Sequence, residues 1–191
     1  MAPGWETASA LAFLYTVCDH SKMHPRLQPL IPHIQSVDVI NRAALMGVFE
    51  DHGDVIAQSP GSSGNHQAWP GGFVDHLLGM IEVSFPLWRP HLFPGVTWGD
   101  FVLTTCLHDI EKPWKYVTPP AGSWVPASPT HLIERYGFKL SEVHVNALKY
   151  AHGEGNDYRK DVRVMSPLAA LLHICDIYSA RIEWDRRILP V

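Results

Sequence analysis

Apolar side chains recur at helical rather than strand spacing along most of this chain. Between Phe73 and Phe85, residues Phe73, Leu77, Met80, Ile81 and Ser84 fall on one stripe, and Val74, Leu78 and Phe85 widen it. A mostly buried helix is expected there. A second apolar helix is expected from Thr97 to Ile110, where Thr97 and Asp100 have the spacing of a capping box. Pro113 should end it, because the residue before a proline is driven out of the α region. The last long helix opens with Ser166 as N-cap and Pro167 in the first position, then runs through Leu168, Leu171, Leu172, Cys175 and Ile182. Ser141 to His152 reads as a further helix with Gly153 in the left-handed place at its end. Glu6 to Cys18 and Val37 to Glu50 are expected helices as well. No segment alternates with the period of a strand and no internal repeat is visible, so the expected fold class is all-α.

Between these segments the breakers cluster. HSKMHPRLQPLIPH carries three prolines in fourteen residues and is expected to lack regular structure. Gly53 to Gly72, rich in Gly, Ser and Pro, reads as a loop that delivers His66 and Trp69 to the following helix. Pro113 to Pro129 holds five prolines together with Trp114, Tyr116 and Trp124, and is expected to form a lid or pocket wall.

With 191 residues, 46% of them hydrophobic and 18% charged, the chain is expected to form one globular domain over residues 1–191. Its most apolar stretch, Leu11 to Cys18, is eight residues long, well short of the roughly 20 that a membrane helix needs. MAPGWETASA lacks a cationic start and an apolar run, so no secretory leader is read there, and a cytoplasmic location is the expectation. Cys18, Cys106 and Cys175 form neither a paired framework nor a CxxC and are expected to be reduced, with Cys106 and Cys175 as core fillers. Lys and Arg number 15 against 19 Asp and Glu, a net charge of -4 without a basic run, which argues against duplex nucleic acid as a partner. Histidine stands out, at 12 residues, several beside carboxylates.

Those histidines lead to the chemistry. Helices that bury one face against another carry His76, the pair His108–Asp109, His152 and Asp176 at or near that face. Polar groups buried without partners cost several kcal/mol each, so they must satisfy one another or a cation. On a helix, adjacent side chains such as His108 and Asp109 diverge by about 100°. Both reach one ion only if it sits at the helix end, with the other ligands arriving from other helices.

These boxes resemble the HD-domain superfamily of metal-dependent phosphohydrolases. Its signature is a His on one helix, a His-Asp pair on a second and an Asp on a later one, and GGFVDH ending at His76, LHDIEK at His108–Asp109 and LLHICD ending at Asp176 follow that order. The resemblance spans roughly His66 to Arg181. Its most specific portion is HQAWPGGFVDH, since many members precede the first metal histidine with a His-aromatic-Pro-Gly-Gly turn. It implies a compact HD-domain helical bundle in which His76, His108, Asp109 and Asp176 bind one divalent ion. Mixed imidazole and carboxylate ligation suits manganese, iron, cobalt, nickel or zinc, and magnesium less well. Some members hold a second ion through histidines between the pair and the final Asp, where His152 lies; His152 is a catalytic or ligand candidate.

The resemblance also implies the reaction, hydrolysis of a phosphate ester or anhydride by metal-activated water. Lys112 stands where the family's HDxGK pattern has its lysine, and Lys115 follows one turn on, both candidates for phosphate contact. Glu111 replaces the pattern's glycine, and either acts as a general base or faces solvent. His66 and Trp69 are candidate substrate contacts. With Trp114, Tyr116, Trp124 and Tyr158, Trp69 offers stacking surfaces for a nucleobase. His173 is a partner of the ligands or a core residue, Arg181 a phosphate contact or a solvated helix end, and His131 could swing over the site.

The expected function is therefore hydrolysis of a small deoxynucleotide, as a triphosphohydrolase or a 5′-nucleotidase. This is the activity of short HD hydrolases of some bacterial viruses, including those specific for dATP. Two alternatives stand beside it. HQAWPGG and SPLAALLHICDIYSAR also resemble the HD parts of some 3′-5′ exoribonucleases and of a class of conjugative relaxases, which implies a phosphodiesterase or exonuclease. Glu111 invites a metal-binding regulatory domain without turnover. Assembly into a homo-oligomer is left open.

Overall fold

A computed structural model describes residues 23–190. The helix expected over Glu6 to Cys18 lies outside the described residues. Among those described, every regular element is helical, in line with the all-α expectation.

The proline-rich start is more ordered than its composition suggested. A 3-10 turn over Pro25–Leu30 runs into α1 (Ile31–Ile34), with His24 Nδ1 accepting the Arg26 amide at 3.1 Å. Pro25 and Pro32 occupy first-turn places whose amides need no helical partner. The next helix, α2 (Val39–Gln58), is capped by Asp38. It runs past Gly53, where a loop was expected, by kinking at His52 (φ -127°, ψ 16°). At Gly53 the helix meets the N-terminal turn so closely that a Cβ would lie 3.2 Å from His24 Cβ. The loop therefore begins at Ser59.

Helix α3 (Gly72–Leu87) covers the expected segment. Helix α4 (Trp98–Leu107) has the expected Thr97/Asp100 capping box but ends before His108, three residues sooner than read. Pro113 does not end it. It sits instead in the first turn of a new short helix, α5 (Lys112–Tyr116). Helix α6 (Pro129–Tyr136) was not anticipated, although Ser128 accepts the His131 amide at 3.1 Å and Gly137 closes it at φ 72°. Helix α7 (Glu142–Lys149) ends three residues before His152, which falls in the turn leading to Gly153. Helix α8 (Pro167–Arg181) starts on the Ser166 cap, as expected.

Helices α3 and α8 form the most extensive pairing, with α7 laid on α8 and α4 against both. Phe73, Leu77, Met80 and Ile81 from α3, Phe101 and Leu103 from α4 and Leu172 and Cys175 from α8 are fully buried between them. A Cβ at Gly79 would stand 2.9 Å from Ser179 Oγ, so α3 and α8 approach closely about one turn after His76. Burial pushes the thiols of Cys106 and Cys175 up to about 12, and both act as small apolar fillers. No helix among the described residues is long and apolar enough to cross a membrane.

Candidate metal centre

The turn between α4 and α5 carries His108 and Asp109 toward the α3–α8 pair, and there they meet His76 and Asp176. One ligand atom from each of the four lies within 4.8 Å of all the others, and all four residues are buried. His76 Nε2 is 3.3 Å from Asp176 Oδ1, and His108 Nε2 is 3.1 Å from Asp109 Oδ2 and 3.9 Å from Asp176 Oδ1.

The outward nitrogens decide which ring atoms face inward. His108 Nδ1 lies 2.8 Å from the Thr105 carbonyl. A carbonyl only accepts, so this nitrogen carries the proton. His76 Nδ1 is 3.0 Å from Ser179 Oγ, whose own hydroxyl donates to the His76 carbonyl at 3.3 Å. Ser179 must then accept from His76, and again Nδ1 is protonated. Both Nε2 atoms thus face the two carboxylates, and each offers a lone pair to an ion when its ring is neutral. His76 Nε2 and His108 Nε2 are buried without a hydrogen-bond partner. Buried polar atoms of native proteins are rarely left so.

The two imidazoles differ in their charge balance. Burial holds the His76 imidazolium pKa down at about 4 against the opposing Asp176. Burial also opposes a charge on His108, but Asp109 and Asp176 outweigh it and raise its pKa. Asp109 is driven far below the usual carboxylate range, burial being overcome by His108, His152 and Lys112. Two imidazole nitrogens with two carboxylates are donors suited to a borderline divalent ion. The group can therefore hold a metal ion. Because Ser179 orients His76, Ser179→Ala is expected to weaken Mn²⁺ binding by about 10- to 100-fold with the fold intact, as read by titration calorimetry.

Asp109 and Asp176, the two carboxylates of the cluster, line the floor of a cavity of about 410 Å³ whose walls include His66, Lys112, His152, His173 and Arg181. Lys112 Nζ is 2.5 Å from Asp109 Oδ2, and His152 Nε2 is 3.5 Å from Asp109 Oδ1. The Asp109 contact raises the pKa of His152. His173 donates from Nδ1 to the Ala151 carbonyl at 2.8 Å, which ties α8 to the turn that holds His152.

His66 is positioned by a residue that sequence reading did not single out. Gln67 adopts a left-handed backbone (φ 40°) and sends its amide nitrogen to the carbonyls of Ser179 and Glu183, at 2.9 and 3.0 Å. Its Oε1 is then left to accept from His66 Nδ1 at 2.7 Å, and the His66 ring stands 5.1 Å from that of His76. A glutamine beside a histidine carries no signal of such a role.

Other expected site residues lie elsewhere. Trp69 donates from Nε1 to Asp75 Oδ2 at 2.8 Å and stacks under the Arg187 guanidinium at 4.9 Å, outside the cavity lining. Lys115 is exposed beside the Tyr116 ring. Glu111 takes the N-cap place of α5 without a capping bond and does not line the cavity. The lid expected over Pro113 to Pro129 packs instead on α2, where Trp114 and Trp124 meet His52 at 5.0 and 5.5 Å. Trp124 walls a separate cavity of about 690 Å³. His131 packs edge-on against Trp124, and Tyr158 is exposed. None of the aromatics expected to stack a base lines the metal-site cavity.

Comparison of the chain with family models, curated proteins and solved structures finds no match.

Proposed function

We propose that this protein is a metal-dependent phosphohydrolase of a small (deoxy)nucleotide, of the HD type that its three His/Asp boxes resemble. One observation carries the reading. Two imidazole nitrogens and two carboxylates, drawn from α3, the α4–α5 turn and α8, converge within 4.8 Å, and the carboxylates line the floor of an open cavity. His76, His108, Asp109 and Asp176 would hold the ion. When bound, a divalent ion polarises phosphoryl oxygens and brings the pKa of a coordinated water toward neutrality.

The remaining work falls to side chains around the floor. Lys112 braces Asp109 and offers a point charge to an entering phosphoryl oxygen. His152 lines the cavity beside Asp109, where its imidazole can hold or deliver a proton. His66, with Nδ1 committed to Gln67, keeps Nε2 as an acceptor for a substrate hydroxyl.

Incubation of the purified protein with each dNTP and dNMP in Mn²⁺ or Co²⁺ is expected to release phosphate or triphosphate. Absence of product from all of them overturns the reading. Shortening of labelled oligonucleotides in its place would favour a phosphodiesterase, and nucleotide binding without product a regulatory domain.

A further inference from the structure

Resting on the phosphohydrolase reading, we infer that Arg181 makes this cavity a polyphosphate site, its guanidinium holding the phosphoryl groups beyond the one that reaches the metal cluster. Lys112 and Arg181 are the lysine and arginine that line the cavity, the first with a largely buried side chain and the second exposed. Lys112 is at the floor, in contact with Asp109. Arg181 is the last residue of α8, five positions after Asp176, which places its Cα about 7.5 Å further along the helix axis. Asp176 is buried, whereas Arg181 is exposed at the rim.

Between them the α8 wall presents Ile177 and Ala180, which bring no charge. Arg181 forms no ion pair or side-chain hydrogen bond among the described residues. The neighbouring Arg186, by contrast, is engaged with Glu82 and Glu183. The two carboxylates of the floor offset a divalent ion, so the charges of Lys112 and Arg181 are left for the ligand. A single phosphoryl group at the floor satisfies Lys112 alone. An anion that meets both must extend from floor to rim with charge along its length, as a di- or triphosphate does, and a planar guanidinium can take two phosphate oxygens at once.

The test is binding rather than turnover. Equilibrium dialysis of labelled inorganic tripolyphosphate and of orthophosphate is run on the full chain at one buffered free Mn²⁺ concentration. Arg181→Ala is expected to weaken tripolyphosphate binding about tenfold or more and to change orthophosphate binding less than twofold. Arg181→Lys should recover part of the loss, since charge returns without the planar fork. Arg181 is exposed, and an unchanged circular dichroism spectrum checks that the variants fold. Equal losses for both anions, or no loss for either, overturn the assignment and leave the phosphohydrolase reading standing. Wild-type protein that binds Mn²⁺ but neither anion overturns both.

Discussion

Asp109→Ala is expected to abolish the proposed hydrolysis, with turnover falling about 10³-fold or more, because the several kcal/mol that an ion would supply to a phosphoryl transition state vanish with it. Asp109 is the member to remove because it touches most of the site. His108, His152 and Lys112 all lie within 3.5 Å of its carboxylate. Three readouts separate loss of the ion from loss of the fold. Metal content, measured by plasma mass spectrometry after Mn²⁺ loading and desalting, should fall from one per chain toward zero. The wild-type melting temperature should rise on Mn²⁺ addition, by an amount that corresponds to about 4 kcal/mol at a thousandfold excess over Kd, while the variant's stays fixed. The circular dichroism spectrum should be shared by both. A variant that keeps its metal and its turnover would place the chemistry somewhere other than this cluster.

That the four candidate ligands stood out in the chain has a physical reason, although it was the resemblance that grouped them around one ion. Apolar helices tolerate few polar side chains on their inner faces, so His76, His108, Asp109 and Asp176 were conspicuous where they stood. Caps written in local chemistry were equally legible: Thr97 with Asp100, and Ser166 before Pro167, mark helix starts where the structure has them. Proline and glycine were harder to read because each has two meanings. Pro113 looked like a stop and is a start, and Gly53 looked like a loop and is a close contact between α2 and the N-terminal turn. The Ser128–Pro129 start of α6 carried the same signs as that of α8, but sat in a stretch whose proline content suggested a loop.

The aromatic residues show the limit more sharply. A tryptophan in a loop offers a flat face to whatever tertiary structure brings, and nothing local distinguishes a base from a neighbouring helix. Trp114 and Trp124 found His52 at the kink of α2, while Trp69 found a carboxylate and a guanidinium. Gln67 was invisible for the opposite reason. Its role depends on a left-handed backbone and on carbonyls more than a hundred residues away, and neither leaves a mark on the sequence. Positions defined by residue type were readable, and positions defined by long-range geometry were not.

Asp75 joins both lessons, and its removal is expected to have the largest effect on stability. It precedes His76, yet its side chain points away from the cluster into a clasp of its own. Oδ2 accepts from Arg26 Nη2 at 3.0 Å and from Trp69 Nε1 at 2.8 Å, and Oδ1 accepts the Leu189 amide at 3.1 Å. Arg26 continues the clasp to the carbonyls of Gly71 and Pro190. One buried carboxylate thus joins the N-terminal turn, the loop before α3 and the C-terminal segment. Asp75 is fully buried and Arg26 is 9% exposed at its side chain, so Asp75→Ala would strand a guanidinium in the interior. Breaking a buried pair from one side costs about 3–5 kcal/mol. Urea unfolding of the metal-free protein should show a loss of that size for Asp75→Ala and a smaller one for Asp75→Asn, which keeps an acceptor. The double variant Arg26→Met/Asp75→Leu should regain part of it, since replacing both charges with apolar groups removes the stranded cation. Where Asp75→Ala remains folded, it should still bind Mn²⁺, because the clasp does not touch the ligands. A loss below about 1 kcal/mol would mean that Arg26 reaches water once its partner is gone, and that the three segments are held by packing alone.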